Sequence, residues 1–87
     1  MSTKGDYMFR NKAKDGRNNI CGKNIAEIRK AMKLSQRELA DKLQLADIDI
    51  DKNAVQRIEA GKRFVTDIEL AAFAKVLNKT IEDIIKQ

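Results

Sequence analysis

The sequence predicts an all-α domain, and three observations favour this class. The chain of 87 residues has no proline and only four glycines, so few residues in it break a helix. It is also rich in Ala, Leu, Ile, Lys and Glu, which are common in helices. Apolar residues recur at helical spacing in short windows that begin with capping residues. We therefore expect one compact domain of short helices, because this length supports a single hydrophobic core.

The composition favours a polyanionic partner and argues against catalysis. The chain carries 18 Lys and Arg against 13 Asp and Glu, a net charge of +5, which fits nucleic acid without requiring it. It has no histidine and one cysteine, Cys21. It therefore offers no catalytic nucleophile with an adjacent general base, no internal disulfide and no Cys-based zinc site. We expect no enzyme and no cofactor. No apolar run reaches the length of a signal-peptide core, so we expect a cytoplasmic protein that enters no membrane.

Residues 1–21 are expected to form a flexible, disordered basic arm, with the folded domain at 22–87. The segment has no sustained apolar period and is interrupted by Gly5, Gly16 and the pair Asn18-Asn19. Its charged residues are mostly basic: Lys4, Arg10, Lys12, Lys14 and Arg17 against Asp6 and Asp15. Two interpretations remain open. The arm either lies along nucleic-acid phosphates or in a minor groove, or it is a solubilising tail.

The first two helices are predicted from an apolar stripe and a capping signal. Ile25, Ile28 and Met32 are spaced to lie on one face of helix one. Helix two is predicted to begin at Ser35, which forms an S-x-x-E capping box with Glu38.

Helix three has two possible starts. Asp51 can cap it, or Asn53 can cap it in a box completed by Gln56. We prefer Asp51, because the longer helix is easier to maintain. Val55 and Ile58 would form the buried face. Gly61 would end the helix, because glycine readily adopts the left-handed conformation that follows a helix.

Two further helices follow. Thr66 and Glu69 form a second capping box at the start of helix four, and Thr80 starts a short helix five. The three isoleucines of helix five are either core or an exposed surface for pairing: Ile81, Ile84 and Ile85. For the pairing alternative, Ile84→Asp should lower the cooperativity of binding to a two-site DNA without unfolding the monomer.

Helices two and three, joined by a turn, make a helix-turn-helix the first candidate. The segments IAEIRKAMKLSQRELADKL, NAVQRIEAGKR and AKVLNKTIEDII resemble the Cro/C1-type (XRE) family across Gly22 to about Ile85. This resemblance implies a five-helix, lambda-repressor-like domain. It also implies a sequence-specific transcriptional regulator, a repressor, that binds double-stranded DNA and can form a homodimer. The alternative is a protein-interaction module, such as an antitoxin or adaptor.

The resemblance also implies site residues. The matching base-reading positions are Lys52, Asn53, Gln56 and Arg57. The matching phosphate-binding positions are Ser35, Gln36, Lys62 and Arg63. Asn suits adenine and Lys or Arg suits guanine, while a helix N-terminus favours an anion. A phosphate contact is equally open for Lys52, and ordinary surface charge remains open for Lys62 and Arg63. Arg29 and Glu59 match a structural ion pair.

The turn between helices two and three departs from the family pattern. The family often has glycine just after helix two, whereas Gln44 takes that place here, and the segment to Asp51 is longer than expected. Ile48 and Ile50 are predicted to pack on the core. How this turn affects the placement of the recognition helix is open.

The same turn contains Asp47, Asp49 and Asp51, a D-x-D-x-D pattern that opens calcium loops. Such a loop needs glycine at its sixth position and an acidic ligand at its twelfth. The chain has Lys52 and Ile58 there. We therefore expect no metal.

Overall fold

The computed structural model describes residues 12–87, and within them the chain is all-helical. Its helices are α1 (Gly22–Ala31), α2 (Gln36–Leu45), α3 (Lys52–Glu59), α4 (Asp67–Val76) and α5 (Ile81–Ile85). The predicted all-α, five-helix architecture is thereby confirmed. No helix in this part of the chain is both long and apolar enough to cross a bilayer.

Side-chain caps start four of the helices at the predicted residues. The N–H of Glu38 donates to Ser35 Oγ at 3.0 Å, and the N–H of Ser35 donates back to the Glu38 carboxylate at 2.8 Å. Asp51 caps α3 by accepting the N–H of Ala54 at 2.8 Å, so the longer of the two predicted starts is confirmed. Reciprocal capping boxes also start α4 at Thr66 and α5 at Thr80. Each cap satisfies N–H groups that a helix start leaves unpaired.

Helices α1 to α4 all end with a residue in the left-handed region. These residues are Lys33, Asp47, Gly61 and Asn78, with φ of 60°, 64°, 78° and 56°. After α2, the N–H of Asp47 donates to the carbonyl of Gln44, and the N–H of Ile48 donates to the carbonyl of Leu43, which is the Schellman pattern. Gln44, which takes the place of the family's usual glycine, lies inside α2, because no helix-breaking residue stops the helix before Leu45.

The core is formed by all five helices and by the turn before α3. Helix α3 packs on α1 and α2, α4 packs on α2, and α5 packs on α1 and α4. Ile50 is fully buried and Ile48 is partly buried against the core, while the three aspartates of the turn remain exposed. The predicted inward placement of the two isoleucines is confirmed.

Helix α5 decides between the two alternatives for its isoleucines in favour of the core for Ile84 and Ile85. Ile84 is fully buried, and Ile85 packs against the core, whereas Ile81 is 43% exposed. The helix is held in place by the Asn24 side-chain amide, which donates to the carbonyls of Ile84 and Lys86 at 2.8 and 2.6 Å. Ile84→Asp would place a charge inside the core, so it should unfold the monomer rather than weaken a dimer.

Residues 17–21 differ from the predicted free arm, because they contact the folded domain. Arg17, Asn18 and Asn19 form hydrogen bonds with the backbone at and after the end of α3. Cys21 is buried in the core, and burial raises the pKa of its thiol to about 11. Residues 1–11, with Lys4, Asp6 and Arg10, lie outside the described residues.

The left-handed position after α2 allows a stability test. Asp47→Gly should raise the free energy of unfolding by about 0.5–1 kcal/mol, because glycine adopts positive φ without a steric penalty. Asp49→Gly makes the same change in charge at a neighbouring residue that has no positive φ. It should leave the stability unchanged or lower it. Urea unfolding followed by circular dichroism compares the two, and equal effects of both substitutions would contradict the assigned role of Asp47.

Candidate nucleic-acid interface

Helix α3 presents the four predicted base-reading residues on one exposed face. Val55 and Ile58, on its other side, are fully buried. The exposed residues are Lys52, Asn53, Gln56 and Arg57. At about 100° per residue, these four lie within an arc of about 140° on the side opposite the buried pair. Burial of one side therefore directs all four side chains to solvent together.

This face continues beyond the end of α3. Asn53, Gln56 and Arg57 line a shallow depression together with Ala60 and Lys62. The side chain of Lys62 is exposed at the rim. Lys62 thus lies beside the α3 face, where a cation can reach a phosphate when the helix is in a groove.

A second depression lies between α2 and the first turn of α3. Its lining includes Lys52, Gln44, Asp51 and Arg37. Arg37 is exposed in the first turn of α2 and was not among the predicted site residues. The signal for it was its position directly after Gln36, at the helix start to which the resemblance assigned a phosphate.

The start of α2 offers backbone donors as well as side chains. Within residues 12–87, the N–H groups of Gln36 and Arg37 have no hydrogen-bond acceptor. Ser35 Oγ accepts from Glu38, which leaves its hydroxyl proton free to donate. The Gln36 side-chain amide donates to the Glu59 carboxylate at 2.9 Å. The backbone at this helix end is therefore more available to an anion than the Gln36 amide.

The Glu59 carboxylate joins three helices. Arg29 on α1 donates to it through Nε at 2.7 Å and Nη2 at 3.1 Å, and Gln36 on α2 donates to the same carboxylate. The side chains of Arg29 and Glu59 are 10% and 8% exposed. Arg29 also donates to the carbonyl of Leu34, at the turn after α1. These contacts connect the last residue of α3 to both preceding helices.

Arg63 is engaged within the domain, unlike Lys62. Its guanidinium forms two hydrogen bonds of 3.0 Å with the Glu69 carboxylate. Glu69 also closes the capping box of α4 by accepting the N–H of Thr66. The hydrogen bond from Arg63, followed by that from Thr66, lowers the pKa of Glu69, and the same pairing raises the pKa of Arg63. The pair fixes the connector between α3 and α4.

An exposed polar helix that packs on two other helices and has cations around it is typical of helix-turn-helix DNA-binding proteins. The chain belongs to the helix-turn-helix family of the Cro/C1 (XRE) type, whose family model matches residues 25–84. It is a DNA-binding transcriptional regulator.

The structure is similar to the crystal structure of the restriction-modification controller protein C.AhdI from Aeromonas hydrophila. The TM-score is 0.64 at 27% sequence identity, and the match covers 72% of this chain and 84% of that chain. No curated protein matches the sequence. Nothing in these comparisons supports the alternative of an antitoxin or adaptor.

The pair formed by Arg63 and Glu69 predicts a specific acid sensitivity. Because the folded-state pKa of Glu69 is lowered, the ionised carboxylate stabilises the fold above its ordinary pKa of 4.5, and this contribution is lost as the pH falls through the lowered value. Glu69→Gln should lower the free energy of unfolding at pH 7 by about 1 kcal/mol. The loss of stability from pH 5 to pH 3 should be smaller in this variant than in the natural protein.

Urea unfolding at each pH measures this difference. Asp67→Asn is the matched control, because it removes one negative charge from the same turn of α4 without touching the pair. Identical pH dependence of Glu69→Gln and the natural protein would show that the pair does not stabilise the fold.

Proposed function

We propose that the protein is a sequence-specific transcriptional regulator that reads the major groove with α3. The single observation that carries this proposal is the exposed face of Lys52, Asn53, Gln56 and Arg57 on a helix whose other side is buried. The major groove is about 12 Å wide and admits one α-helix. A helix with this polar face can enter the groove without disturbing the core.

The chemistry of the four side chains supports direct contact with bases. Asn53 and Gln56 each carry an amide whose oxygen can accept from adenine N6–H and whose nitrogen can donate to adenine N7, in the two-point pairing typical of adenine. Arg57 can donate two hydrogen bonds to O6 and N7 of guanine. Lys52, at the first position of α3, can reach either guanine or a phosphate.

Phosphate contacts would place α3 in register along the DNA. We assign one to Lys62 at the rim and one to the start of α2, through the N–H groups of Gln36 and Arg37 and the hydroxyl of Ser35. Arg63 is assigned to the connector, since its guanidinium is paired with Glu69. This revises the phosphate contact that the family resemblance implied for Arg63.

We further propose that the protein acts in the cytoplasm as a repressor and binds as a homodimer. The similarity to a restriction-modification controller protein supports a regulatory role. Two-fold symmetry would place two copies of α3 about 34–36 Å apart, one helical turn of DNA. Ile81, Phe64 and Ile68 are large apolar side chains that remain exposed and are available for pairing, with exposures of 43%, 53% and 70%.

Selection from a random DNA library tests the proposal. The selected DNA should bind at least about 10³-fold more tightly than unrelated DNA at physiological salt. Asn53→Ala should weaken binding to the selected DNA about 10- to 100-fold, because one two-point base contact is lost, with little effect on unrelated DNA. Fluorescence anisotropy measures both affinities.

Lys62→Ala should weaken binding to selected and unrelated DNA alike and reduce the salt slope of affinity by about one. Lys75→Ala removes the same charge from an exposed position on α4 and is the matched control. Uniform micromolar binding to every sequence would refute the proposal.

A further inference from the structure

Residues just before α1 form hydrogen bonds with the backbone where α3 ends. We call Arg17, Asn18 and Asn19 the N-terminal strap. Arg17 donates to the carbonyl of Glu59 at 2.6 Å, and the backbone N–H of Asn18 donates to the carbonyl of Gly61 at 2.8 Å. The strap thus reaches both the last residue of α3 and the residue after its cap.

The two asparagine side chains extend this set of contacts. Asn18 Nδ2 donates to the carbonyl of Lys62 at 3.1 Å. Asn19 Nδ2 donates to the carbonyls of Ile58 and Arg63 at 2.9 and 2.8 Å. The strap therefore donates to five carbonyls between residues 58 and 63, at and just after the end of α3.

Two glycines permit the close approach of the strap. Gly61 has φ of +78°, and a Cβ there would lie 2.7 Å from Cζ of Arg17. A Cβ on Gly22 would meet the carbonyl oxygen of Ile58 and also lie 2.8 Å from Nη2 of Arg17. A side chain at either position would push the strap away from α3.

The chemistry of the strap suits the end of α3. The C-terminal end of a helix carries partial negative charge, so a guanidinium donating to its last carbonyl is favoured. Asn19 also accepts the N–H of Gly22 at 2.8 Å, which ties the end of α3 to the start of α1. This connection does not depend on the Glu59 carboxylate, which is held by Arg29 and Gln36.

We propose that Arg17 and Asn19 are positioning residues for DNA recognition. They hold the carbonyls of Ile58, Glu59 and Arg63, and so set the end of α3, with Arg57 on its exposed face. The inference rests on the proposed function. The strap precedes residue 25, where the family match begins, so it is a feature of this chain outside the matched region.

The test uses the full chain, with Asn19→Ala and Arg17→Ala as variants. Each should weaken binding to the selected DNA about tenfold, the loss expected when a contact is misplaced rather than removed, and should change binding to unrelated DNA less than twofold. The salt slope should stay the same, because neither residue is assigned a phosphate. Lys14→Ala is the matched control: it removes one positive charge from the same segment at an exposed position and should leave both affinities unchanged.

Hydrogen exchange provides a readout that is independent of DNA. Amides at residues 58–63 should exchange faster in both strap variants than in the natural protein, while those of α2 should not change. Arg17→Lys can still donate to the carbonyl of Glu59, so it should recover part of the lost affinity. All affinities are measured where circular dichroism shows each variant to be folded.

If Arg17→Ala or Asn19→Ala does not fold, Asn18→Ala is measured in its place. This substitution keeps the hydrogen bond from the backbone N–H of residue 18 to the carbonyl of Gly61. It should weaken selective binding about threefold, since one hydrogen bond is lost. Folded variants that bind the selected DNA as the natural protein does would overturn the inference. So would a reduced salt slope for Arg17→Ala, which would make Arg17 a phosphate ligand. If the natural protein binds the selected and the unrelated DNA equally, the proposed function is refuted. Hydrogen exchange at residues 58–63 would then still show whether the strap holds the end of α3.

Discussion

The arrangement of the helices depends on the buried carboxylate of Glu59. Arg29 and Gln36 donate to it from α1 and α2, while Arg17 donates to the backbone carbonyl of the same residue. A buried charge must be paired, and removing one partner of such a pair costs about 3–5 kcal/mol. Because Glu59 is the last residue of α3, these contacts determine how the exposed face of α3 is presented. The connector after α3 is fixed separately, by Arg63 and Glu69.

Helix starts could be predicted from the sequence because capping is local. Ser35, Asp51 and Thr66 each bond to an N–H only three residues further on, so the residues that form the cap are visible together in the sequence. The end of α2 was harder to predict, since Asp47 rather than glycine adopts the left-handed conformation. The burial of Ile84 also could not be predicted. Its place is set by the packing of α5 on α1 and α4, which is not local.

In the candidate site, too, local features could be predicted from the sequence and features set by tertiary packing could not. The exposed face of α3 followed from the helical period, because burial of Val55 and Ile58 leaves the polar residues outside. The partners of Gln36 and Arg63 are set by tertiary structure, and they change what these two residues can offer to DNA. The strap was missed for a related reason. Residues 17–19 show no period, and their acceptors lie about 40 residues away in sequence.

The most direct test of the role of Glu59 is a double-mutant cycle on Arg29→Ala and Glu59→Ala, measured as free energies of unfolding. Trimethylamine N-oxide can keep the weaker variants folded. We predict that the double variant loses clearly less than the sum of the two single losses, with a coupling energy of about 1–3 kcal/mol. Losses that add within about 0.5 kcal/mol would show that the two residues act independently, and would contradict the account of how α3 is held.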